Sequence, residues 1–241
     1  MRQLNVSIAW TGTLLFAASL VWFLYCYLVR FGDPVPGPVL LDAIAGPIAI
    51  DVVLFSVFAV HHSLLARPSF KRYVHRIAPP ELERSIYTWT SSLLFIIVCT
   101  WWQPVAGVLY RLEGGWRIAG YAVQLIGFAL TVRASSKLDV LDLSGVRAVL
   151  RRNRDRDATE HVPLETRGLY GFVRHPLYFA WTCFVFGAPD MTATRALFAL
   201  VSTGYLAIAI PFEERGLIQA FGAEYEAYRR KVRWRLIPGI Y

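Results

Sequence analysis

The sequence predicts an all-α protein, a polytopic membrane helical bundle of five to six hydrophobic segments with a cytoplasmic carboxyl-terminal helix. Of its 241 residues, 56% are hydrophobic and 17% are charged, and the mean hydropathy is +0.43. This composition excludes an ordinary water-soluble globular enzyme. The apolar residues form blocks of about 15 to 22, close to the roughly 20 helical residues that cross a ~30 Å hydrocarbon layer. We therefore expect a single integral-membrane domain over residues 1–241.

The first two hydrophobic segments are predicted to be transmembrane helices. Residues 6–29 are longer than the apolar core of a signal peptide and lack a convincing cleavage site, so they predict a retained span. A turn-rich stretch of glycine and proline follows at 32–38, and a second span is expected over 42–65. A basic amphipathic stretch at 67–76 then separates the second span from the third.

The remaining segments are less uniform in length. The third and fourth spans are expected over 83–102 and 116–135, with aromatic residues near their ends. The fifth segment, 176–188, would rise only about 20 Å as a helix. It is therefore either a span in a thinned bilayer or a segment that enters and returns, shielded by its neighbours. The sixth span is expected over 196–212 and should continue as a polar helix over 213–232.

Lysine and arginine residues lie mostly on one side of the predicted bundle. That side carries 21 of the 25 basic residues, and the opposite side carries the other four, Arg30, Arg111, Arg117 and Arg195. The positive-inside rule then places both termini and the long polar loops in the cytoplasm, as in a multi-pass protein of a bacterial inner membrane. The formal net charge of +8 is explained by contacts with lipid headgroups, and no nucleic-acid partner is expected.

Two clusters at the predicted cytoplasmic face are candidates for a ligand site. Residues 166–178 read Thr-Arg-Gly-Leu-Tyr-Gly-Phe-Val-Arg-His-Pro-Leu-Tyr, directly before the short fifth segment. Residue types alone favour a structural explanation, in which Pro176 begins a helix and Arg174 reaches lipid phosphates. The second cluster is Glu213 and Glu214, whose side chains should diverge by about 100° on a helix. At most one of these carboxylates can then face the bundle interior.

Taken together, the two clusters offer hydrogen-bond donors, aromatic faces, a cation and carboxylate acceptors. A ligand with an adenine, a ribose diol, an ammonium and a carboxylate would use all of them. The motifs are Gly168-x-Tyr170-x-x-x-Arg174-His175-Pro176-x-Tyr178, Glu213-Glu214-x-x-Leu217 and Phe221-Gly222-x-x-Tyr225-x-x-Tyr228-x-x-x-Val232. This pattern resembles the membrane superfamily of isoprenylcysteine carboxyl methyltransferase and phospholipid methyltransferase.

Motifs elsewhere in the chain narrow the resemblance. They are His62-Ser63-Leu64-Leu65-Ala66-Arg67-Pro68, Pro79-Pro80-x-x-Glu83-Arg84-Ser85, Asp142-Leu143-x-Gly145-x-Arg147 and Ala188-Pro189-x-Met191-Thr192. These are similar to the methanethiol S-methyltransferases, which make dimethyl sulfide from methanethiol and S-adenosyl-L-methionine. The resemblance therefore implies a membrane methyltransferase acting on a small thiol, with S-adenosylmethionine as methyl donor and no metal.

The resemblance also implies two parts of the chain, a four-helix transmembrane part over 1–135 and a cofactor-binding part over 136–241. The implied S-adenosylmethionine site comprises Val162, Leu164, Tyr170, Arg174, His175, Pro176, Leu177, Tyr178, Glu213 and Glu214. The isoprenylcysteine enzymes carry an arginine for the substrate carboxylate four residues before the cofactor glutamate. Here that position is Ala209, which favours a neutral or thiol acceptor.

A thiol acceptor must lose its proton, and three ionisable residues of the second span are candidates for the catalytic base. His61 and His62 lie at its predicted cytoplasmic end, and Asp51 lies about ten residues deeper. An ionisable residue at membrane depth is a functional candidate, although a helix-to-helix hydrogen bond from Asp51 to Gln124 or Ser92 would explain it equally. For the histidine pair a structural role at the interface is favoured, because adjacent residues diverge on a helix.

Three other functions remain open from the sequence. The first is a methyltransferase for a lipid amine or an isoprenoid-linked, lipophilic acceptor. The second is a non-catalytic membrane protein that binds haem or a quinone through a histidine. The third is a transporter or a scaffold, although polar groups clustered at one face and not at mid-membrane argue against transport. In each case the lipid bilayer is a partner. The alternatives differ in the acceptor that is methylated or the ligand that is bound.

Overall fold

The structure is a computed structural model, and it describes residues 2–65, 72, 74–76, 78–135, 139–150 and 164–241. Its helices in chain order are α1 (Arg2–Leu28), α2 (Leu41–Leu65), α3 (Glu83–Trp101), α4 (Gly114–Ser135), α5 (Val140–Leu143), α6 (Val146–Leu150), α7 (Pro176–Phe186), α8 (Ala193–Phe221) and α9 (Ala223–Lys231). Two short strands, β1 (Val108–Arg111) and β2 (Asp190–Thr192), are the strands among these residues. The predicted all-α class is confirmed.

Four of the helices are long and apolar enough to cross a membrane. They are Gln3–Gly32, Leu41–Leu65, Gly114–Ser135 and Ala193–Phe221, which match the predicted first, second, fourth and sixth segments. The third predicted span is α3, whose 19 residues begin with the polar run Glu-Arg-Ser-Ile-Tyr-Thr-Trp-Thr-Ser-Ser. The fifth is α7, a shorter apolar helix of 11 residues. This pattern indicates an integral membrane protein.

The sequence predicted one continuous polar helix after the sixth span, but this helix is interrupted at Gly222. Helix α8 ends at Phe221, and α9 begins at Ala223. Between them Gly222 has a φ of +54°, a conformation that glycine adopts without the steric penalty of a side chain. The chain therefore changes direction at Gly222.

The chain divides into two compact units, of which the first is Met1–Gly107 with Leu138–Thr159. In this unit α3 packs against both α1 and α2. The Arg30 guanidinium donates to the carbonyl oxygens of Cys99 and Thr100, at 3.0 and 2.7 Å. It thereby satisfies acceptors that the end of α3 leaves unpaired. At the other end of α3, the Ser85 hydroxyl donates to the carbonyl oxygen of Ser144, 3.0 Å away.

The second unit is Val108–Lys137 with Glu160–Tyr241, and its centre is the packing of α7 on α4. The buried residues of α4 are Gly120, Gln124 and Gly127, which share one face of the helix. A Cβ at Gly127 would lie 2.4 Å from the Phe184 backbone nitrogen, so glycine permits the close approach. The Gln124 amide donates to the Phe184 carbonyl oxygen at 3.2 Å. These contacts hold the short helix α7 in place.

The antiparallel pairing of β1 with β2 was not predicted from the sequence. It lies in the second unit, directly before α8. The Arg117 side chain pairs with Asp190 at 2.7 Å, and the Thr192 hydroxyl accepts from the Arg195 backbone N–H at 3.1 Å. Thr192 is thus the amino-terminal cap of α8.

Candidate functional site

The two polar clusters singled out in the sequence meet in the second unit. His175 immediately precedes α7, whose first residue is Pro176, and its imidazole Nδ1 lies 3.3 Å from Glu213 Oε2 on α8. The imidazole Nε2 lies 3.6 Å from Glu214 Oε1. The Glu213 side chain is 44% exposed and that of Glu214 is 4% exposed, the divergence expected of adjacent residues on a helix. One carboxylate is therefore open to a ligand and the other is internal.

The outer half of the site consists of His175, Tyr178 and Glu213. The Tyr178 hydroxyl donates a hydrogen bond to Glu213 Oε1. The Tyr178 and His175 rings are stacked, with centroids 5.5 Å apart and planes 10° apart. Nε2 of the buried His175 has no hydrogen-bond partner among the described residues, because 3.6 Å to Glu214 is too long. The outer half thus presents a carboxylate, stacked aromatic rings and an imidazole nitrogen with spare hydrogen-bonding capacity.

The charge on His175 is set by opposing influences. Burial disfavours the imidazolium, whereas the nearby carboxylates of Glu213 and Glu214 favour it. The carboxylates outweigh burial, and the pKa of His175 is raised above its ordinary value. The protein therefore keeps a cation between two anions at this position more readily than an isolated histidine would.

The inner half of the site is a buried ion pair between Arg174 and Glu214. Arg174 Nε donates to Glu214 Oε1 at 2.6 Å, and the two side chains are 6% and 4% exposed. Arg174 Nη1 donates to the carbonyl oxygens of Val232 and Arg233, at 2.7 and 2.8 Å. Arg235 Nε lies 3.4 Å from Glu214 Oε2. Both members of the pair therefore have hydrogen-bond or ion-pair partners within the protein.

The segment before the site is held by α9. The Tyr228 hydroxyl donates to the carbonyl oxygen of Tyr170 at 2.7 Å. Leu164 and Tyr170 pack against the buried cluster of Tyr225, Tyr228 and Val232. Leu177, in the first turn of α7, is partly exposed. Val162, which the sequence also predicted for this site, lies outside the described residues.

The three predicted catalytic residues all lie in α2, in the first unit. Asp51 is fully buried, and its Oδ1 accepts the backbone N–H of Gln103 at 2.7 Å. The partner expected for Asp51, Gln124 or Ser92, is replaced by the Gln103 backbone amide at Oδ1, and Oδ2 has no hydrogen-bond partner among the described residues. Ten residues of helix separate Asp51 from His61 by about 15 Å, so the two cannot act on the same atom.

The two adjacent histidines of α2 differ in exposure and in hydrogen bonding. A ring nitrogen of the exposed His62 lies 2.9 Å from the Tyr87 hydroxyl. Nδ1 of the partly buried His61 has no hydrogen-bond partner among the residues that the structure describes. His62 thus has a structural contact, and His61 has an uncommitted nitrogen.

The sequence motif ends at Val232 and did not indicate that residues 233–235 belong to the site. The carbonyl oxygens of 232–235 accept hydrogen bonds from the Arg174 side chain and from the backbone N–H groups of Arg174 and His175, and these residues lie in no helix or strand. Irregular backbone has no periodic signal in the sequence. Within the described ranges, no group of three or more histidine, cysteine, aspartate or glutamate side chains is arranged to hold a metal ion.

The four long apolar helices define the protein as a polytopic all-α membrane protein. No family model matches the chain, and no solved structure matches it. It is 35% identical to the methanethiol S-methyltransferase of Mycobacterium tuberculosis over 224 residues, 90% of this chain and 91% of the relative. It is 34% identical to methanethiol S-methyltransferase 2 of Bradyrhizobium diazoefficiens over 94% of this chain and 88% of the relative. The chain belongs to the methanethiol S-methyltransferase family.

A more distant relative is the Nurim homologue of Drosophila pseudoobscura. The two chains are 26% identical over 177 residues, which is 70% of this chain and 69% of that protein.

Proposed function

We propose that the protein transfers a methyl group from S-adenosylmethionine to methanethiol, giving dimethyl sulfide, at the cytoplasmic face of a bacterial inner membrane. The observation that carries the proposal is the cluster of His175, Tyr178 and Glu213 in a chain whose relatives over nearly its whole length are named methanethiol S-methyltransferase. The asymmetry of 21 basic residues against four supports the cytoplasmic location of the site.

The outer half of the site fits the methyl donor chemically. The half-exposed Glu213 carboxylate can accept hydrogen bonds from ribose hydroxyls or an ammonium group, and His175 Nε2 is a buried polar atom that still needs a partner. The Tyr178 ring offers a face to a cation. We assign donor binding to these residues together with Tyr170, Pro176, Leu177 and the backbone of 162–165.

S-adenosylmethionine supplies an electrophilic methyl group on a sulfonium sulfur, which a thiolate attacks to give a neutral thioether and the neutral demethylated donor. Opposite charges merge in this reaction, so apolar walls favour it over bulk water. Leu164 and Leu177 beside the site supply such walls. The polar residues orient the donor, and alignment of two reactants can lower a barrier by roughly 7 to 11 kcal/mol.

The acceptor thiol requires a base, and His61 is the best supported of the three candidates. Among the described residues both His61 Nδ1 and Asp51 Oδ2 lack a hydrogen-bond partner, but Asp51 is fully buried and its Oδ1 accepts the Gln103 backbone N–H, whereas His62 bonds to Tyr87. A neutral imidazole with a free nitrogen can accept the thiol proton. We therefore assign the proton transfer to His61 and structural roles to the other two residues.

The acceptor alternatives are less well supported. A lipid amine or an isoprenoid-linked acceptor disagrees with the names of the relatives, and the partly buried Ala209 on α8 offers no cation for a carboxylate. Haem or quinone binding through His175 would have to displace its two carboxylate neighbours.

The test is turnover by the detergent-purified chain with S-adenosylmethionine and a panel of thiols, amines and carboxylates. We expect dimethyl sulfide in the headspace and an equal amount of demethylated donor when methanethiol is the acceptor. Absence of donor binding by calorimetry would reject the methyltransferase assignment. Turnover of an amine or a carboxylate but not of methanethiol would reject the acceptor.

A further inference from the structure

Arg174 and Glu214 lie next to the proposed donor site, and we infer that they are positioning residues that lock residues 232–235 against the His175 loop. This inference rests on the proposed function, because the property it controls is the affinity for the methyl donor. It differs from the expectation drawn from the sequence, which placed Arg174 and Glu214 among the groups that contact the donor.

Arg174 makes its contacts entirely within the second unit. Nε donates to Glu214, and Nη1 donates to two successive carbonyl oxygens, those of Val232 and Arg233. The side chain is 6% exposed. Two of its three guanidinium nitrogens donate to three protein acceptors. Arg174 therefore binds the carboxyl-terminal segment more directly than it could bind a ligand of the outer site.

The backbone completes the attachment. The backbone N–H groups of Arg174 and His175 donate to the carbonyl oxygens of Trp234 and Arg235, each at 2.9 Å. The Arg235 guanidinium lies over the Tyr241 ring, 5.1 Å from its centroid, and also approaches Glu214. The segment is therefore fastened to the His175 loop through both backbone and side chains.

Glu214 links the Arg174 side chain to the His175 imidazole. Its Oε1 atom accepts from Arg174 and lies 3.6 Å from His175 Nε2. Without Arg174 the buried Glu214 carboxylate would keep only the longer contact with Arg235, 3.4 Å away, and would move towards it or take up a proton. In either case His175 would lose one of the two carboxylates between which it lies, and its ring would no longer be held against Glu213 and Tyr178.

The decisive experiment is a double-mutant cycle on donor affinity, measured by calorimetry with S-adenosylhomocysteine and the detergent-purified full chain. Arg174→Gln should weaken binding about tenfold or more, since a hydrogen bond to a charged group contributes about a factor of ten or more to an equilibrium constant. Arg174→Lys, which keeps the charge, should recover part of the loss. Arg111→Gln is the matched control, because Arg111 is an exposed arginine of β1 in the same unit and should bind like the wild type.

The cycle separates positioning from direct contact. If Arg174 acts through His175, Arg174→Gln should change affinity by less than about twofold in a His175→Asn background. A loss of equal size in both backgrounds would show that Arg174 contacts the donor and would overturn the inference, as would unchanged affinity in Arg174→Gln alone. Where a variant binds too weakly for calorimetry, the same cycle is run on kcat/KM for the donor at saturating methanethiol.

Two further measurements cover the cases in which a variant does not fold or the wild type does not bind. If Arg174→Gln does not fold, Arg235→Gln is used in its place. The Arg235 side chain is 31% exposed and contacts Glu214 without being part of the buried Arg174–Glu214 pair. A loss of about twofold to fivefold that disappears in the His175→Asn background supports the inference by the same logic. Failure of the wild type to bind S-adenosylhomocysteine would reject the proposed function itself.

Discussion

His175 and Glu213 are joined across two helices, with the imidazole Nδ1 of the residue before α7 lying 3.3 Å from the carboxylate of α8. The pair brings together the two motifs that were 38 residues apart in the sequence (213 − 175 = 38). Tyr178 donates to the same carboxylate and stacks on the same imidazole. This triangle is the part of the structure on which the donor site depends.

Replacing Glu213 by glutamine tests the triangle directly. The amide keeps the shape of the side chain but removes the charge, and hydrogen bonds to charged groups contribute about 1.5 to 3 kcal/mol. We expect the affinity for S-adenosylhomocysteine to fall roughly 10- to 100-fold in calorimetry. Glu224→Gln, at an exposed glutamate of α9, should leave affinity unchanged. Wild-type affinity in Glu213→Gln would remove Glu213 from the donor site.

The raised pKa of His175 predicts how stability depends on pH. The folded protein holds the imidazole proton more tightly than the unfolded chain, whose histidine has a pKa near 6.5. The stabilisation is therefore complete below about pH 6.5 and is lost as the pH rises through the folded-state pKa. The thermal unfolding midpoint of the purified protein should fall over that interval, and His175→Asn should abolish this part of the fall. The same pH dependence in both proteins would contradict the prediction.

The long helices could be predicted because the bilayer imposes a length and a composition on every span. The limits of α2 differ from the predicted 42–65 by one residue. The two clusters were also recognisable, since their residue types are unusual beside apolar segments. Hydropathy did not reveal the bend at Gly222, because a single glycine in a polar stretch changes the mean hydropathy little.

The roles within the site could not be read from the sequence. A motif names Arg174, His175, Glu213 and Glu214 together but does not state which of them contact each other. The partners of Arg174 at Val232 and Arg233 are 58 and 59 residues away in an irregular segment. Likewise, the backbone amide that bonds to Asp51 Oδ1 lies 52 residues further along the chain, just after α3, and backbone groups carry no sequence signal.

The contact between α4 and α7 predicts a strong effect of a small change. In Gly127→Ala the new methyl group would lie 2.4 Å from the Phe184 nitrogen and 2.7 Å from the Ala180 carbonyl oxygen. Because both neighbours are backbone atoms, the helices would have to separate, at a cost of about 1 to 3 kcal/mol. The thermal unfolding midpoint should fall clearly.

Gly216→Ala on α8 is the matched control for this substitution. No atom lies within 4 Å of the position its Cβ would take, and alanine is favoured over glycine in a helix. This variant should be as stable as the wild type or slightly more stable. An equal loss in both variants would show that the close approach of α4 and α7 is not the cause.

The assignment of the base predicts a defect that depends on pH. His61→Ala should lower kcat for methanethiol at neutral pH by about 10²- to 10⁴-fold, the usual contribution of a positioned base. The defect should shrink as the pH rises towards and above about 8.5, where a thiol ionises without help. Initial rates from pH 6 to 10 at saturating donor measure both effects.

His62→Gln and Asp51→Asn distinguish this role from a structural one. His62 is exposed and bonded to Tyr87, so its substitution should change kcat little at any pH. Asp51→Asn replaces a fully buried carboxylate bonded to the Gln103 amide, so it should change the unfolding midpoint more than kcat. If His61→Ala instead keeps wild-type kcat at neutral pH while Asp51→Asn loses it with the fold intact, the proton is taken by the carboxylate. The acceptor thiol would then have to bind deep in α2, about 15 Å from the position that His61 implies.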